Sequence, residues 1–218
     1  MTAVSPRVRV RRHPERGGYE RALIDAILDE ALFCHVGFVV EGQPFVIPTI
    51  HARVGDVLYL HGSPASRMLR QLDSGIDVCV TATLLDGIVL ARAVYNHSLN
   101  YRSAVVLGHA RPVRGREEKL AALEAIVEHV VAGRSRDARP PNANEVAGTK
   151  VLAMPIDEAS AKVRTGAPKD FDADVELPIW AGVIPLSTVA GEPVAEERVP
   201  DGVMVPPYAG NYRRPKVA

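Results

Sequence analysis

The feature that most constrains the fold of this chain is a series of short, valine-rich segments joined by tight turns. Residues 33–42 end at the pair Glu41-Gly42, residues 44–55 end beside Asp56, and residues 57–62 follow at once. Valine and phenylalanine favour strands, and turns this short connect antiparallel neighbours. The three segments therefore predict an antiparallel meander. Pro48 cannot donate to a ladder, so the second strand is expected to lie at an edge or to carry a bulge there.

Helical spacing of apolar residues marks three other segments, residues 18–32, 63–75 and 115–133. In the short middle segment, Ser63 is a suitable N-cap and Pro64 suits the first helical position. Strands are predicted at 76–87 and 88–97, paired through a turn at Asp86-Gly87. Further strands are predicted at 101–113, 149–156, 160–166 and 181–191.

Closely spaced strands with frequent hairpin turns favour a mainly β fold, a closed antiparallel barrel with flanking helices, over a doubly wound α/β sheet. We expect an N-terminal arm over residues 1–17, the barrel domain over 18–190 and an extended C-terminal tail over 191–218. Because the tail holds several prolines and little periodicity, we expect it to lie against a partner subunit.

Composition excludes several classes of partner. The 26 basic residues equal the 26 acidic ones, which argues against nucleic acid or an anionic membrane as the main partner. The N-terminal arm nevertheless concentrates Arg7, Arg9, Arg11 and Arg12, which indicate either an anionic contact or a solvated tail. No apolar run is long enough to span a bilayer and no secretory leader is evident, so the cytoplasm is the expected location.

The chain lacks the common catalytic and nucleotide-binding patterns, including GxGxxG, GxxxxGK[ST], HExxH and CxxC. Cys34 and Cys79 lie in apolar runs and are expected to be buried free thiols. Among the seven histidines, His51 and His61 could face each other across a hairpin, but one such pair without a carboxylate or cysteine nearby predicts no metal site. No residue stands out as a catalytic acid or base.

Two segments have the chemistry of a phosphate site. In residues 59–70 a strand ends at His61-Gly62, Ser63 opens a helix, and Arg67 follows, which would combine helix N–H groups with a guanidinium. An ordinary capped helix with exposed arginines explains this segment equally well. In the second segment Tyr101, Arg102 and Ser103 begin a strand, either as phosphate ligands or as surface side chains.

The order of the segments 45–72, 77–87 and 100–129, followed by 149–166 and 177–186, resembles the pyridoxamine 5′-phosphate oxidase-like family of FMN-binding split barrels. The resemblance is closest to its flavin-nucleotide-binding branch, which includes nitroimidazole-resistance-type members, and covers about residues 13–188. It implies a split antiparallel β-barrel, a homodimer and flavin mononucleotide (FMN) at the subunit interface. The C-terminal end of this chain does not align with the basic pair that holds the vitamin substrate in the oxidase.

The resemblance also implies roles for individual residues. The strand backbone at Val46, Ile47, Pro48 and Thr49 would line the isoalloxazine. At the end of the third strand, His61, Gly62 and Ser63 would hold the ribityl phosphate, and Arg67 would pair with that phosphate. The cofactor would also be approached by Tyr101, Arg102 and Ser103 from a neighbouring strand, and Trp180 would cap its ring. For Trp180 a core or interface anchor is equally consistent with the sequence.

These expectations lead to two hypotheses for function. The first is an FMN-dependent oxidoreductase acting on a small organic molecule, in which the flavin carries electrons and the protein supplies position and electrostatics. The alternative is a non-enzymatic protein that binds or stores flavin or haem.

Overall fold

A computed structural model describes residues 5–214 as ten strands, six helices and three short 3₁₀ turns. The strands are β1 (Gly17–Gly18), β2 (Phe33–Val40), β3 (Gln43–Val54), β4 (Val57–Gly62), β5 (Val78–Leu90), β6 (Ser98–Gly108), β7 (Arg111–Pro112), β8 (Lys150–Pro155), β9 (Glu158–Arg164) and β10 (Gly182–Pro185). The helices are α1 (Arg21–Glu30), α2 (Arg67–Asp73), α3 (Arg116–Val130), α4 (Arg134–Asp137), α5 (Ala143–Ala147) and α6 (Pro207–Gly210). The 3₁₀ turns are Pro14–Arg16, Val94–Asn96 and Asp172–Asp174.

The strands form one antiparallel sheet in the order β1-β9-β6-β5-β2-β3-β4-β8-β7, with β10 added beside β5. The long strand β3 belongs to both halves of this sheet, because Gln43–Ile50 pairs with β2 whereas His51–Val54 pairs with β4. Pro48 lies where β3 is paired on one side only, with β2, which is an edge position of the kind that tolerates proline. The predicted edge at this position is confirmed.

The main core shows that the sheet curves into a barrel. Buried side chains come from strands at opposite ends of the strand order, such as Leu152 on β8 and Ala161 on β9, and from the centre, such as Val80 on β5. Residues this far apart in a flat sheet meet only if the sheet wraps around them. Helix α1 closes one end with Ile27 and Leu28, both fully buried. The fold is a split antiparallel β-barrel with few flanking helices, as predicted.

A second, smaller core lies outside the barrel, under α3. Ala122 and Ile126 of this helix pack against Tyr59 of β4 and Val151 of β8. The side chains of β4 therefore alternate between two apolar environments, since Leu58 and Leu60 point into the barrel while Tyr59 points towards α3.

The predicted turn at Asp86-Gly87 is wrong. Strand β5 continues through this pair to Leu90, with an irregularity in its pairing with β6 between Leu85 and Gly87. Gly87 is needed for close approach rather than for a turn, because a Cβ there would lie 3.1 Å from the carbonyl oxygen of Ile184 on β10. The glycine therefore admits β10 beside β5.

The described part of the C-terminal tail ends against the same chain. The hydroxyl of Tyr212 donates to the Val130 carbonyl oxygen at 2.9 Å, and Arg214 donates to the carbonyl oxygen of Asp29 at 2.7 Å. The ends of the predicted arm and tail, residues 1–4 and 215–218, lie outside the described residues. Within residues 5–214, none of the helices has the length and hydropathy required to cross a bilayer.

Candidate functional site

An apolar surface covers the outer side of the sheet where β2 and β3 pair. We call it the outer apolar face and define it by Phe33, Val46, Pro48 and Ile50. All four are exposed, and Val46 is 67% exposed. Of the residues predicted to line an isoalloxazine, Val46 and Pro48 point outwards here, whereas Ile47 packs against the barrel core. The fourth, Thr49, is half-buried. A planar aromatic ligand could lie on this face.

A cleft with two arginines adjoins the tip of the β2–β3 hairpin. Arg67 stacks its guanidinium over the Phe45 ring, 5.1 Å from the centroid, and neither Arg67 nor Arg70 has a carboxylate partner among residues 5–214. The cleft has a volume of about 400 Å³ and is lined by Val40, Glu41, Gln43, Phe45, Arg67, Arg70 and Gln71. Two guanidinium groups without carboxylate partners, beside an aromatic ring, could bind a ligand in which an anionic group is joined to an apolar group.

Ser63 does not cap the short helix as predicted. Its hydroxyl accepts a hydrogen bond from the Ala65 N–H at 3.2 Å and its carbonyl oxygen accepts one from the Ser66 N–H at 2.9 Å, which closes a turn. The helix begins three residues later than the predicted start, at Arg67, and Ser66 is its N-cap. Local hydrogen bonding by Ser63 outcompetes the helical conformation at this point.

His61 lies on the outer side of the barrel, in the part of the sheet that α3 covers. It continues the β4 positions that point towards α3 and lines a cavity of about 840 Å³. The walls of this cavity include Leu120, Leu123 and Val127 of α3, and its rim includes Arg134. The sequence predicted a phosphate role for His61 beside Ser63, but the structure separates its side chain from the arginine cleft.

The imidazole of His61 has one ring nitrogen without a hydrogen-bond partner. Its Nδ1 atom is sealed from solvent and has no hydrogen-bond partner among the described residues. Burial lowers the pKa of His61 below its ordinary value, so the ring is neutral near pH 7. A neutral imidazole in the wall of a cavity has the chemistry of a metal or haem-iron ligand. The apolar residues of α3 line one part of this cavity, and charged residues such as Glu124 and Asp137 line another.

Arg102 is held within the chain. Its guanidinium donates to both carboxylate oxygens of Glu30, at 2.6 and 2.8 Å, and to both of Asp86, at 3.0 and 2.8 Å. The hydrogen bonds to Asp86, which contribute most, and those to Glu30 raise the pKa of Arg102. This arrangement argues against the phosphate contact predicted for Arg102.

The neighbours of Arg102 point the opposite way. Ser103 lines a separate cleft on the outer side of β6, and Tyr101 pairs with Arg164 of β9. Trp180 precedes β10 and is 67% exposed, with its ring against Gly182. Because its side chain is exposed, Trp180 is not a core residue within this chain. The predicted roles that remain are a cap over the flavin and an anchor at a subunit interface.

Sequence reasoning missed the cavity under α3. Leu120 and Leu123 belong to the helix predicted over residues 115–133, and they line the cavity together with His61. The available signal was the number of apolar residues on this helix, because only Ala122 and Ile126 are buried.

Comparisons with known proteins agree with this architecture. The sequence model of the family described as pyridoxamine 5′-phosphate oxidase matches residues 20–163. Among solved structures, the flavocytochrome Anf3 from Azotobacter vinelandii is 38% identical, with a TM-score of 0.91, over 97% of this chain and 98% of that one. The FAD and heme binding protein from Mycobacterium smegmatis is 35% identical, with a TM-score of 0.85, over 88% of this chain and 95% of that one. A search of curated proteins found no match. By the family match and by these two alignments, the chain belongs to the pyridoxamine 5′-phosphate oxidase family.

Proposed function

We propose that this protein is a redox protein that binds a flavin at the outer apolar face and a haem in the cavity under α3. The observation that carries the proposal is the neutral imidazole of His61, whose Nδ1 atom has no partner among the described residues, in the wall of a cavity lined by both apolar and charged side chains. Support comes from the two relatives, one a flavocytochrome and the other a protein that binds FAD and heme, which align with nearly the whole chain.

The residues around the cavity under α3 fit a haem. The apolar side chains of Leu120, Leu123 and Val127 would contact the macrocycle, and His61 would ligate the iron. Arg134 also lines the cavity and donates to the hydroxyl of Tyr208, and its guanidinium would be the partner for a haem propionate. A volume of about 840 Å³ lies within the usual range of cofactor sites, about 300–1,000 Å³.

The outer apolar face and the arginine cleft lie on opposite faces of the β2–β3 hairpin, and a flavin that passes around this hairpin would contact both. Val46 and Pro48 would contact the ring system, while Arg67 and Arg70 would bind the phosphate that FMN and FAD share. The sequence predicts FMN, whereas the mycobacterial relative binds FAD. Identification of the flavin released from the purified protein by chromatography distinguishes the two.

A homodimer forms part of this proposal. Phe33, Val46, Tyr95 and Trp180 are more than half exposed. Large exposed apolar side chains on the strands and on the segments beside them are typical of an interface, and a second subunit would cover them together with the flavin.

When bound, the flavin would supply hydride or single-electron chemistry and the haem single-electron chemistry, with a small organic molecule as the substrate. A protein that only stores its cofactors is the alternative. Under anaerobic conditions NADH or NADPH would bleach the flavin of a reductase, whereas the spectrum of a storage protein would not change.

The test of the cofactors is the absorbance spectrum of protein produced with added riboflavin and haem precursor. We expect a Soret band and flavin bands in the wild type, and loss of the Soret band alone in the His61→Ala variant. The His109→Ala variant is the matched control, because His109 is exposed and lies outside the cavity. A protein that stays colourless after reconstitution with both cofactors refutes the proposal, and a Soret band retained by His61→Ala refutes the assignment of the ligand.

A further inference from the structure

The described part of the N-terminal arm is anchored to the barrel. Val8 is only 4% exposed, and the N–H of Val10 donates to the hydroxyl of Tyr19 at 2.9 Å. A segment held by a buried side chain and a hydrogen bond has a defined path. Arg9 lies between these two anchors, and Arg11 and Arg12 follow them. The backbone of these three exposed arginines therefore has a defined position on the surface.

A cleft of about 310 Å³ separates this arm from the outer side of β6 and β9. Its floor is a compact patch, because Ser103 pairs with Lys162 and Val105 pairs with Ser160 across the two strands. Residues two apart on a strand share a face, so all four side chains point into the cleft. The arginines of the arm form its wall.

The charge of this cleft differs from that of the whole chain. The protein has 26 basic and 26 acidic residues, but Arg9, Arg11, Arg12 and Lys162 have no carboxylate partner among residues 5–214. Only Arg7 is paired, with Asp77 at 3.3 Å and Glu158 at 3.5 Å. Four uncompensated cations around a small concavity create a local positive potential that an anion would relieve.

We propose that this cleft binds a small ligand through a group that carries two or more phosphate charges. Guanidinium forks, an ammonium and the hydroxyls of Ser103 and Ser160 are the donors that phosphate oxygens require. The concave shape favours a small molecule over an acidic protein, which would need a contact of about 800 Å² on each partner. The site is separate from the arginine cleft beside Arg67, and the proposal does not depend on the flavin or the haem.

Calorimetric titration of the full-length protein, as purified, tests this site with inorganic pyrophosphate and with ADP, and with adenosine as the uncharged probe. The wild type should bind pyrophosphate saturably, with one site per chain, and should lose affinity as NaCl increases. Equal affinities for the two phosphate probes would identify a free oligophosphate as the ligand. Tighter binding of ADP would identify a nucleotide.

The decisive variant is Arg9→Gln/Arg11→Gln/Arg12→Gln, and the matched control is Arg114→Gln/Arg116→Gln/Arg198→Gln, which removes three exposed charges elsewhere. We expect at least about tenfold weaker pyrophosphate binding in the first, because each charge-assisted hydrogen bond contributes about that much, and little change in the second. Lys162→Gln, in the floor of the cleft, should also weaken binding. Absence of saturable binding to the wild type at low salt, equal losses in both triple variants, or binding unaffected by the first would overturn the proposal.

Discussion

Replacing Arg102 with methionine should destabilise the fold, because this guanidinium holds two carboxylates that would otherwise repel each other. Glu30, at the end of α1, has a side chain only 8% exposed, and Asp86 on β5 is 30% exposed. Methionine preserves most of the apolar stem of arginine, so the packing changes little. The loss of stability then measures the effect of removing the guanidinium from the two carboxylates.

The magnitude follows from burial. Removing one partner from a buried ion pair costs about 3–5 kcal/mol, since the remaining charge stays desolvated. Glu30 meets that condition, whereas water still reaches Asp86, so we expect about 3 kcal/mol for Arg102→Met. Arg102→Lys keeps the positive charge but cannot form forks with two carboxylates, and about half of the loss should remain.

Urea unfolding, followed by circular dichroism, measures this loss. Arg111→Met is the control, because Arg111 also bonds a carboxylate, that of Glu118, but its side chain is 53% exposed, and exposed pairs contribute about 0–1 kcal/mol. A loss for Arg102→Met no larger than that of Arg111→Met would refute the reasoning. An Arg102→Met variant as stable as the wild type but without flavin would instead restore the predicted phosphate contact.

Three further predictions concern stability and reactivity. Burial lowers the pKa of His51 to about 4, so the folded state resists protonation, and about 3 kcal/mol of stability should be lost as pH falls from about 6.5 to 4. The difference between the pH profiles of Tm for wild type and His51→Gln measures this loss, and identical profiles would contradict it. Ser66→Ala should cost about 0.5–2 kcal/mol in urea unfolding, as for an N-cap, and more than Ser63→Ala; the reverse order would favour the earlier helix start. Burial raises the pKa of Cys34 to about 12, so iodoacetamide at pH 8 should label Cys79 in the native protein and Cys34 only after unfolding, as peptide mass spectrometry would show.

The fold was predictable because its signals are local and repeated. Valine-rich segments and tight turns such as Gly55-Asp56 specify hairpins without reference to the rest of the chain. Gly87 was misread for the same reason. An aspartate-glycine pair is a strong turn signal, but here the glycine admits β10, which lies almost a hundred residues further along the chain. No local pattern reports a contact at that distance.

The candidate sites were harder to predict than the fold, and the segment from His61 to Ser63 shows why. The sequence joins these three residues in one motif, but successive side chains of a strand point to opposite faces. His61 therefore points towards α3, while Gly62 lies against Leu69 of the barrel core. Strand β4 is shared by two cores, so neighbouring residues of this motif point into different cores. The core under α3 becomes evident only from the packing of α3 on the outer side of β4. The same alternation separates Arg102, which faces Glu30, from Ser103, which faces the cleft of the arm. In a barrel that is covered on its outer side, residues two apart on a strand are therefore more often part of the same site than residues that are adjacent in the sequence.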